Sequence, residues 1–376
     1  MMVASRPSDT FGTHSSIESR LRIRKVLGMR IGLALPQYDY SVPGESPLGF
    51  PTLAAHAVRA EELGYDSLWL SDHLFLGIAK YGGREEPYGA FEPIATLAAL
   101  AGVVSRPRLG TLVLCEALRP PTVAAKALAT LDRICGGRLD IGLGAGWYEP
   151  EYAAIGMEMP TPGVRIRRLR EATEIITGLL GGDDLTYDGE FFQAAGARID
   201  PPALAQPRPP VFLGGKGDKV LATVAAHADG WNTCWAWTFD AYRERLAVLA
   251  RACEAIDRDP ATVWRSIGLY ALVGEDEADL AARFDRLRAN TPAGVLDTVT
   301  LDDWRVGRLV GTAEEVRDQA AQWEALGIET IIVGAGAIPF QVGSLDDVAA
   351  LAEVLGCGHD PADAGLERTG AAGGIA

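Results

Sequence analysis

The chain has 376 residues, with 35 Lys and Arg against 50 Asp and Glu, which gives a net charge of −15. This acidic balance argues against nucleic acid or an anionic membrane as the main partner, because both require a basic face. Apolar residues make up 48% of the chain, and the five cysteines include no Cys-x-x-C pair. A large core, a reducing cytoplasm and the absence of a disulfide framework or zinc site are therefore expected.

Apolar runs of strand length alternate along the chain with segments of helical periodicity. The predicted strands cover residues 30–36, 67–71, 109–115, 138–144, 210–213, 230–233, 266–273 and 329–333. The predicted helices cover residues 51–63, 91–104, 121–134, 164–180, 218–227, 239–256, 276–288 with 313–326, and 345–355. Eight strand–helix units predict an α/β fold, a (β/α)8 TIM barrel, and leave a doubly wound sheet as the alternative.

Four insertions do not fit a minimal barrel: residues 74–90 after the second strand, 145–163 after the fourth, 183–209 before the fifth and 290–308 before the eighth. Asp188-Gly189 in the third insertion is a hairpin turn signal. Long loops at barrel strand ends often hold active sites, so the pattern favours an enzyme. Residues 29–356 are predicted to form the barrel, 1–28 a disordered N-terminal extension and 357–376 a disordered C-terminal tail.

The second predicted strand, Ser67-Leu-Trp-Leu-Ser-Asp-His73, ends abruptly in an acid and an imidazole. Ionisable side chains at the carboxyl end of a strand are typical of α/β active sites. Histidine titrates near neutrality, so His73 suits proton transfer, whereas Asp72 is expected to orient a different group. The structural alternative is that Asp72 caps a helix and His73 is a packed imidazole.

The fifth predicted strand leads into Gly214-Gly-Lys-Gly217 and then a helix. Adjacent glycines let backbone N–H groups point at an anion, and the helix N-terminus adds its dipole. We therefore predict a phosphate site formed by Gly214, Gly215, Lys216 and Gly217, with an ordinary strand–helix turn as the alternative. A desolvated Lys216 could instead form the Schiff base of a lyase.

The segment Gly142-Leu-Gly-Ala-Gly146 follows the fourth predicted strand. It matches a dinucleotide fingerprint only in part, because Trp147 stands at the third glycine position and no predicted helix follows directly. These glycines are expected to let a flat ring approach the backbone, with Trp147 beside it. The alternative is a turn that releases the insertion.

Five blocks in this order resemble the luciferase-like monooxygenase superfamily, and within it the branch that uses coenzyme F420, a deazaflavin. The resemblance covers roughly residues 29–355. The blocks are Gly32-Leu-Ala-Leu-Pro36, Ser67-Leu-Trp-Leu-Ser-Asp-His73, Arg119-Pro-Pro-Thr-Val-Ala-Ala-Lys126, Gly137-Arg-Leu-Asp-Ile-Gly-Leu-Gly-Ala-Gly-Trp147, and Pro210-Val-Phe-Leu-Gly-Gly215 with Ala228-Asp-Gly-Trp231.

The resemblance implies a role for each matching position. Asp72 would contact the deazaflavin, and His73 would be the catalytic residue beside its reactive face. Leu112 and Val113 match a strand bulge, often with a cis peptide, that supports the ring. The other implied cofactor contacts are Cys115, Ala145 and Gly146 along the ring, and Gly214 and Gly215 at the phosphate.

One position departs from the family. A sugar-phosphate dehydrogenase branch carries an acid where this chain has Trp147, and neither Glu149 nor Glu151 can be assumed to replace it. This departure argues against a sugar-phosphate substrate. We therefore expect His73 to lack an acidic partner and to be the main candidate for proton transfer, with Glu116 second.

These features together predict a cytoplasmic oxidoreductase that transfers hydride between coenzyme F420 and a small organic substrate. The alternative within the fold is an FMN-dependent monooxygenase, which needs a separate flavin reductase and oxygen. A lyase using Lys216 and a catalytically silent cofactor carrier are further alternatives. No metal, nucleic acid or membrane is expected as a partner, and the resemblance implies a homodimer as one assembly that the chain can form.

Overall fold

A computed structural model of the protein describes residues 28–358. The predicted N-terminal extension and C-terminal tail therefore lie almost entirely outside the described residues, and their disorder stays a prediction. No helix within residues 28–358 is both long enough and apolar enough to cross a membrane.

Eight parallel strands form a closed barrel, which confirms the predicted fold class. Each strand pairs with its neighbours in chain order, and the last pairs with the first, Thr330 lying opposite Arg30. The strands are Arg30–Ala34 (β1), Ser67–Leu70 (β2), Arg108–Thr111 (β3), Leu139–Gly144 (β4), Val211–Gly214 (β5), Gly230–Trp235 (β6), Trp264–Gly274 (β7) and Thr330–Gly334 (β8).

The predicted third strand is shorter than expected because its backbone is interrupted. The Leu112–Val113 peptide bond is cis, and Leu114–Cys115 then resumes pairing with β4. The cis peptide that the family resemblance associated with this position is therefore confirmed. A strand that the sequence did not predict, Leu309–Thr312, pairs with the distal half of β7.

Helices surround the barrel in the predicted order, with ends that differ by a few residues from prediction. The long helices are Phe50–Glu62 (α1), Pro93–Ala101 (α2), Pro121–Ile134 (α3), Pro162–Gly181 (α4), Asp218–His227 (α5), Phe239–Glu254 (α6), Glu277–Ala289 (α7), Ala313–Ala325 (α8) and Leu345–Val354 (α9). Their apolar faces, such as Leu128 and Leu131 of α3, are buried against the strands. This sequestered apolar area is the main source of stability in such a fold.

The insertions carry small elements of their own. Leu185–Asp188 and Gln193–Ala197 form the predicted antiparallel hairpin. The carboxylate of Glu171 holds its turn by accepting three backbone N–H bonds, from Glu190, Phe191 and Phe192. Short helices lie at Glu149–Ala154 and Leu301–Arg305, and a 3-10 turn lies at Ala79–Tyr81.

Aromatic side chains fill the barrel interior. Trp69 is fully buried and packs edge-on against Phe212, with ring centroids 5.7 Å apart. Gly32 and Gly110 make room for it, because a Cβ atom at these positions would lie 2.5 Å and 2.2 Å from Trp69 side-chain atoms. Phe212 in turn meets Trp264 at 5.3 Å. These buried rings occupy the barrel interior, in keeping with the packed core of such folds.

Candidate active site

A cavity of about 1160 Å³ lies over the carboxyl ends of the strands, bounded by three of the insertions. Barrel enzymes place their active sites at this end. The structure brings His73 and every predicted cofactor contact to its wall: Asp72, His73, Leu112, Val113, Cys115, Ala145, Gly146, Gly214, Gly215, Lys216 and Gly217. The roles assigned to these residues remain predictions.

His73 follows β2 and forms a hydrogen bond to an acid that the sequence did not predict. Its Nδ1 atom lies 2.9 Å from Oε2 of Glu151, on the short helix of the 145–163 insertion. Oε1 of Glu151 accepts the backbone N–H of Leu74, so both oxygens of this buried carboxylate are bonded. The expectation that His73 lacks an acidic partner is wrong.

This contact determines which ring nitrogen of His73 is available. A carboxylate only accepts hydrogen bonds, so Nδ1 of His73 carries the proton that Glu151 receives. No partner of Nε2 is found among the described residues, and the imidazole is largely buried in the cavity wall. Nε2 can therefore accept a proton from a ligand, or donate one once the ring is charged.

Asp72 borders the cavity, but its carboxylate is occupied by protein groups. Oδ1 and Oδ2 accept from the Arg119 guanidinium at 2.9 Å and 2.7 Å, and Oδ2 also accepts from the backbone N–H of Cys115. Arg119 continues to Glu92, the N-cap residue of α2. Asp72 thus holds the resumed strand after the cis bond, and Arg119 is a supporting residue that the sequence reasoning did not single out.

The wall beside His73 is shaped by the backbone interruption in β3. The Val113 side chain lies over two strand ends, because Cβ atoms at Gly144 and Gly214 would lie 2.6 Å and 3.0 Å from its methyl carbons. A side chain at either glycine would displace Val113. The Val113 side chain, flanked by the backbone of Gly144 and Gly214, provides an apolar surface against which a flat ring can pack.

Gly146 needs to be glycine for two reasons. Its φ angle is +67°, and a Cβ atom there would lie 2.3 Å from Oη of Tyr152 and 2.8 Å from Sγ of Cys115. Burial raises the pKa of the Cys115 thiol to about 12, so the thiol stays protonated at neutral pH and contributes an apolar surface.

The segment Gly214–Gly217 also lines the cavity and provides hydrogen-bond donors there. Gly217 is the N-cap of α5 and supplies no side-chain cap, so first-turn N–H groups of the helix stay available. Asp218, whose charge would oppose an anion, is paired with Arg245 at 2.7 Å. Arg165 at the start of α4 also lines the cavity, and its buried Nε has no hydrogen-bond partner. These groups fit an anionic ligand.

Glu116 and Lys216 do not have the surroundings that proton transfer and Schiff-base formation, respectively, would require. Glu116 does not line the cavity and pairs instead with Arg168, both oxygens lying 3.2 Å from its Nε. The prediction that Glu116 is the second candidate for proton transfer is therefore wrong, because its carboxylate does not reach the cavity. Lys216 has an exposed side chain, so the desolvation that would activate a Schiff-base lysine is missing.

The aromatic rings around His73 come mainly from insertions. Trp147 and Tyr148 approach His73 edge-on, at 5.6 Å and 6.3 Å between ring centroids. Lys80, in the 74–90 insertion, places its amine 3.1 Å from the Trp147 ring centroid. Lys80 is exposed as a whole residue, but partial burial of its amine against the Trp147 ring lowers its pKa to about 8, an environment that no sequence pattern indicated.

A family model for luciferase-like monooxygenases matches residues 29–330. The chain belongs to this family. Among the relatives of this luciferase-like protein is an F420-dependent hydroxymycolic acid dehydrogenase of Mycobacterium tuberculosis, 30% identical over 304 residues, which cover 78% of the chain and 79% of the relative. A pyrimidine monooxygenase of Pantoea ananatis is 30% identical over 347 residues, which cover 87% and 90%.

Solved structures agree on the architecture of this luciferase-like barrel. An F420-dependent secondary alcohol dehydrogenase in complex with an F420-acetone adduct superposes with a TM-score of 0.67 over 87% of the chain and 99% of that structure. The two sequences are 20% identical, so this likeness supports the fold alone.

Proposed function

We propose that this protein is an oxidoreductase that transfers hydride between coenzyme F420 and a small organic substrate, with His73 handling the accompanying proton. The observation that carries the proposal is the His73–Glu151 pair. It presents an unpaired Nε2 at the wall of the cavity that Val113 and Gly214–Gly217 also line. Family membership makes an oxidoreductase the reaction class.

The residues present fit a flat ring joined to an anionic tail. Val113, Gly144, Ala145 and Gly146 would support the ring at backbone level. The N–H groups at the start of α5, with Lys216 and the unpaired Nε of Arg165, would hold the phosphate. When bound, the deazaflavin supplies the hydride chemistry, and the protein supplies orientation and surroundings.

His73 would act on the substrate oxygen. In the direction of alcohol oxidation, Nε2 accepts the hydroxyl proton as hydride leaves the carbon, and in reduction it returns that proton to the carbonyl oxygen. Glu151 keeps the ring in the tautomer with a free Nε2 and stabilises the charged ring by its carboxylate. Asp72 and Arg119 act one layer further out, by fixing the strand after the cis bond.

An FMN-dependent monooxygenase is the second candidate. It is favoured by the pyrimidine monooxygenase relative, which is as similar in identity as the dehydrogenase and matches a larger share of this chain. Such an enzyme would depend on a separate reductase and oxygen. The paired His73 favours the dehydrogenase, because a base oriented by an acid serves the proton transfer of alcohol oxidation directly.

The test is a titration of the purified protein with oxidised F420 and, separately, with FMN, followed by fluorescence quenching. We expect F420 to bind tightly and FMN weakly or not at all. Bound protein is then screened with small alcohols and aldehydes for a change in F420 absorbance, using His73→Ala as the inactive control. Tight FMN binding without F420 binding would overturn the assignment. If Lys216→Ala retains turnover, the lyase alternative is excluded.

A further inference from the structure

One wall of the cavity carries three buried polar atoms that have no hydrogen-bond partner within residues 28–358. Oη of Tyr270, Nε1 of Trp304 and Nε of Arg308 each lack a hydrogen bond, and all three residues line the cavity. The described residues contain ten such side-chain atoms, so this wall has a concentration of them. Unpaired buried donors are costly, so a ligand or ordered water is expected to meet them.

The backbone pairing explains why these residues meet. Strand Leu309–Thr312 pairs with β7 so that Leu309 lies opposite Ala271, which puts Arg308 next to Tyr270. The preceding helix Leu301–Arg305 supplies Trp304, whose ring lies 5.6 Å from that of Tyr270. The group, here called the β7 wall, is thus built by the 290–308 insertion on a barrel strand.

The β7 wall has donors and one uncompensated positive charge. The Trp304 indole can only donate a hydrogen bond, and so can the Arg308 guanidinium. Cζ of Arg308 lies 4.0 Å from the centroid of the Trp304 ring, and Nη1 of Arg308 donates to the backbone carbonyls of Trp304 and Val306. Burial raises the pKa of Tyr270, so its hydroxyl remains a neutral donor at any ordinary pH.

No carboxylate within residues 28–358 forms an ion pair with Arg308. Among the described cavity-lining residues the only acids are Asp72 and Glu151, and both are bonded elsewhere, to Arg119 and to His73. No ion pair involving Arg308 is present in the part of the chain that the structure describes. The counter-ion is therefore expected from the ligand.

We propose that the β7 wall binds a carboxylate of the substrate, with the Arg308 guanidinium, the Trp304 indole and the Tyr270 hydroxyl as its donors. A carboxylate carries one negative charge and so matches the single guanidinium, whereas a phosphate monoester carries nearly two at neutral pH. The rest of the substrate would be apolar and flat, because Trp235, Phe340, Val295 and Leu296 line the adjoining surface. This inference rests on the proposed function for what happens to the substrate, but its binding test does not.

The experiment compares three probes that share one ring system: 2-naphthoate, 2-naphthylmethanol and 2-naphthyl phosphate. Binding to the full chain is measured by calorimetry. We expect 2-naphthoate to bind about 10-fold or more tightly than the other two, since hydrogen bonds to charged groups are the stronger ones. Equal affinity of the alcohol, tighter binding of the phosphate ester, or no binding of 2-naphthoate would each overturn the proposal, as would ordered water being the only occupant in a structure soaked with 2-naphthoate.

Variants then locate the site. Arg308→Met should weaken 2-naphthoate binding by about 10- to 100-fold, and Tyr270→Phe, which keeps the ring packing, by about 3- to 10-fold. Arg243→Met is the matched control, because Arg243 is an exposed α6 residue outside the cavity and paired with Asp240. Unchanged affinity in both Arg308→Met and Tyr270→Phe would overturn the proposal. If Arg308→Met does not fold, Tyr270→Phe decides alone.

A parallel F420 titration separates the two proposals. If F420 binds and 2-naphthoate does not, the β7 wall inference fails and the proposed function stands. If 2-naphthoate binds with the expected dependence on Arg308 and F420 does not, the cofactor assignment fails and the carboxylate site stands.

Discussion

Nδ1 of His73 lies 2.9 Å from Oε2 of Glu151, although 78 residues of chain separate them. His73 ends a barrel strand, whereas Glu151 belongs to an insertion, and the contact therefore couples the rigid barrel to a segment that bounds the cavity. Because Glu151 also accepts the Leu74 N–H, its position is fixed from two sides. A fixed carboxylate is what keeps an imidazole in one tautomer.

Glu151→Gln should lower turnover about 10- to 100-fold while leaving F420 affinity within about 2-fold, because the carboxylate acts through His73. The chain has five histidines, so the His73 ring can be assigned by nitrogen-15 NMR with His73→Ala as reference. The wild type should show the Nδ1-protonated tautomer and the variant a mixture. Glu149→Gln, on the same short helix, is the control. An unchanged His73 spectrum in Glu151→Gln would contradict the orienting role.

Arg165→Met should weaken F420 binding by about 10-fold, and the loss should shrink as salt is added, because an anion is the expected partner of its unpaired Nε. Arg167→Met is the matched control, since Arg167 lies on the same helix but pairs with Glu190 outside the cavity. Fluorescence titration at two salt concentrations measures both. Equal effects of the two substitutions would show that only the general charge of α4 matters.

The barrel could be predicted because the signal for each of its main strands lies in the residues of the strand itself. Strand Ser67–Leu70 is buried at every position, and its residues Leu68 to Leu70 form a continuous apolar run, as parallel strands covered on both faces do. The glycine signals at residues 144–146 and 214–217 are local for the same reason. A flat surface or an anion turn requires glycine in the segment itself, and the structure places both segments at the cavity.

The features that escaped prediction depend on contacts between distant segments. No local pattern links Glu151 to His73, and no pattern indicates that Glu116 turns away to Arg168. Strand Leu309–Thr312 has four residues, too few for a periodic signal, and it forms because β7 offers a partner. No sequence pattern indicated the β7 wall for the same reason, since it joins the 290–308 insertion to a residue of β7.

Gly146→Ala should destabilise the fold by about 1–3 kcal/mol, since the new Cβ would meet Tyr152 Oη at 2.3 Å in a left-handed backbone conformation. It should also weaken cofactor binding, because Tyr152 bonds to the Ala145 carbonyl at the predicted ring surface. Gly181→Ala is the control: a Cβ there meets nothing within 4 Å at the end of α4. Urea denaturation compares the two. Equal free energies of unfolding would refute the steric account.

Lys80 should react with amine reagents in a pH range unlike that of an ordinary lysine. Partial burial of the amine lowers its pKa to about 8, so its reactive neutral form should become abundant as the pH rises through about 8, whereas solvated lysines reach that point near pH 10. Pulse acetylation followed by peptide mass spectrometry measures the rate at each lysine, with Lys126, which bonds to the Asp200 carbonyl outside the cavity, as the internal control.

The same titration has a consequence for stability. The unfolded chain holds the Lys80 proton between about pH 8 and pH 10 and the folded protein releases it, so the wild type should gain stability relative to Lys80→Met as the pH rises through that range. Below about pH 8 the lysine is charged in both states, and the difference between wild type and variant should no longer change with pH. Urea denaturation of both proteins from pH 7 to pH 10 would show this. A difference that stays constant across the range, together with a labelling midpoint near 10, would mean that the Lys80 amine is solvated and not held over Trp147.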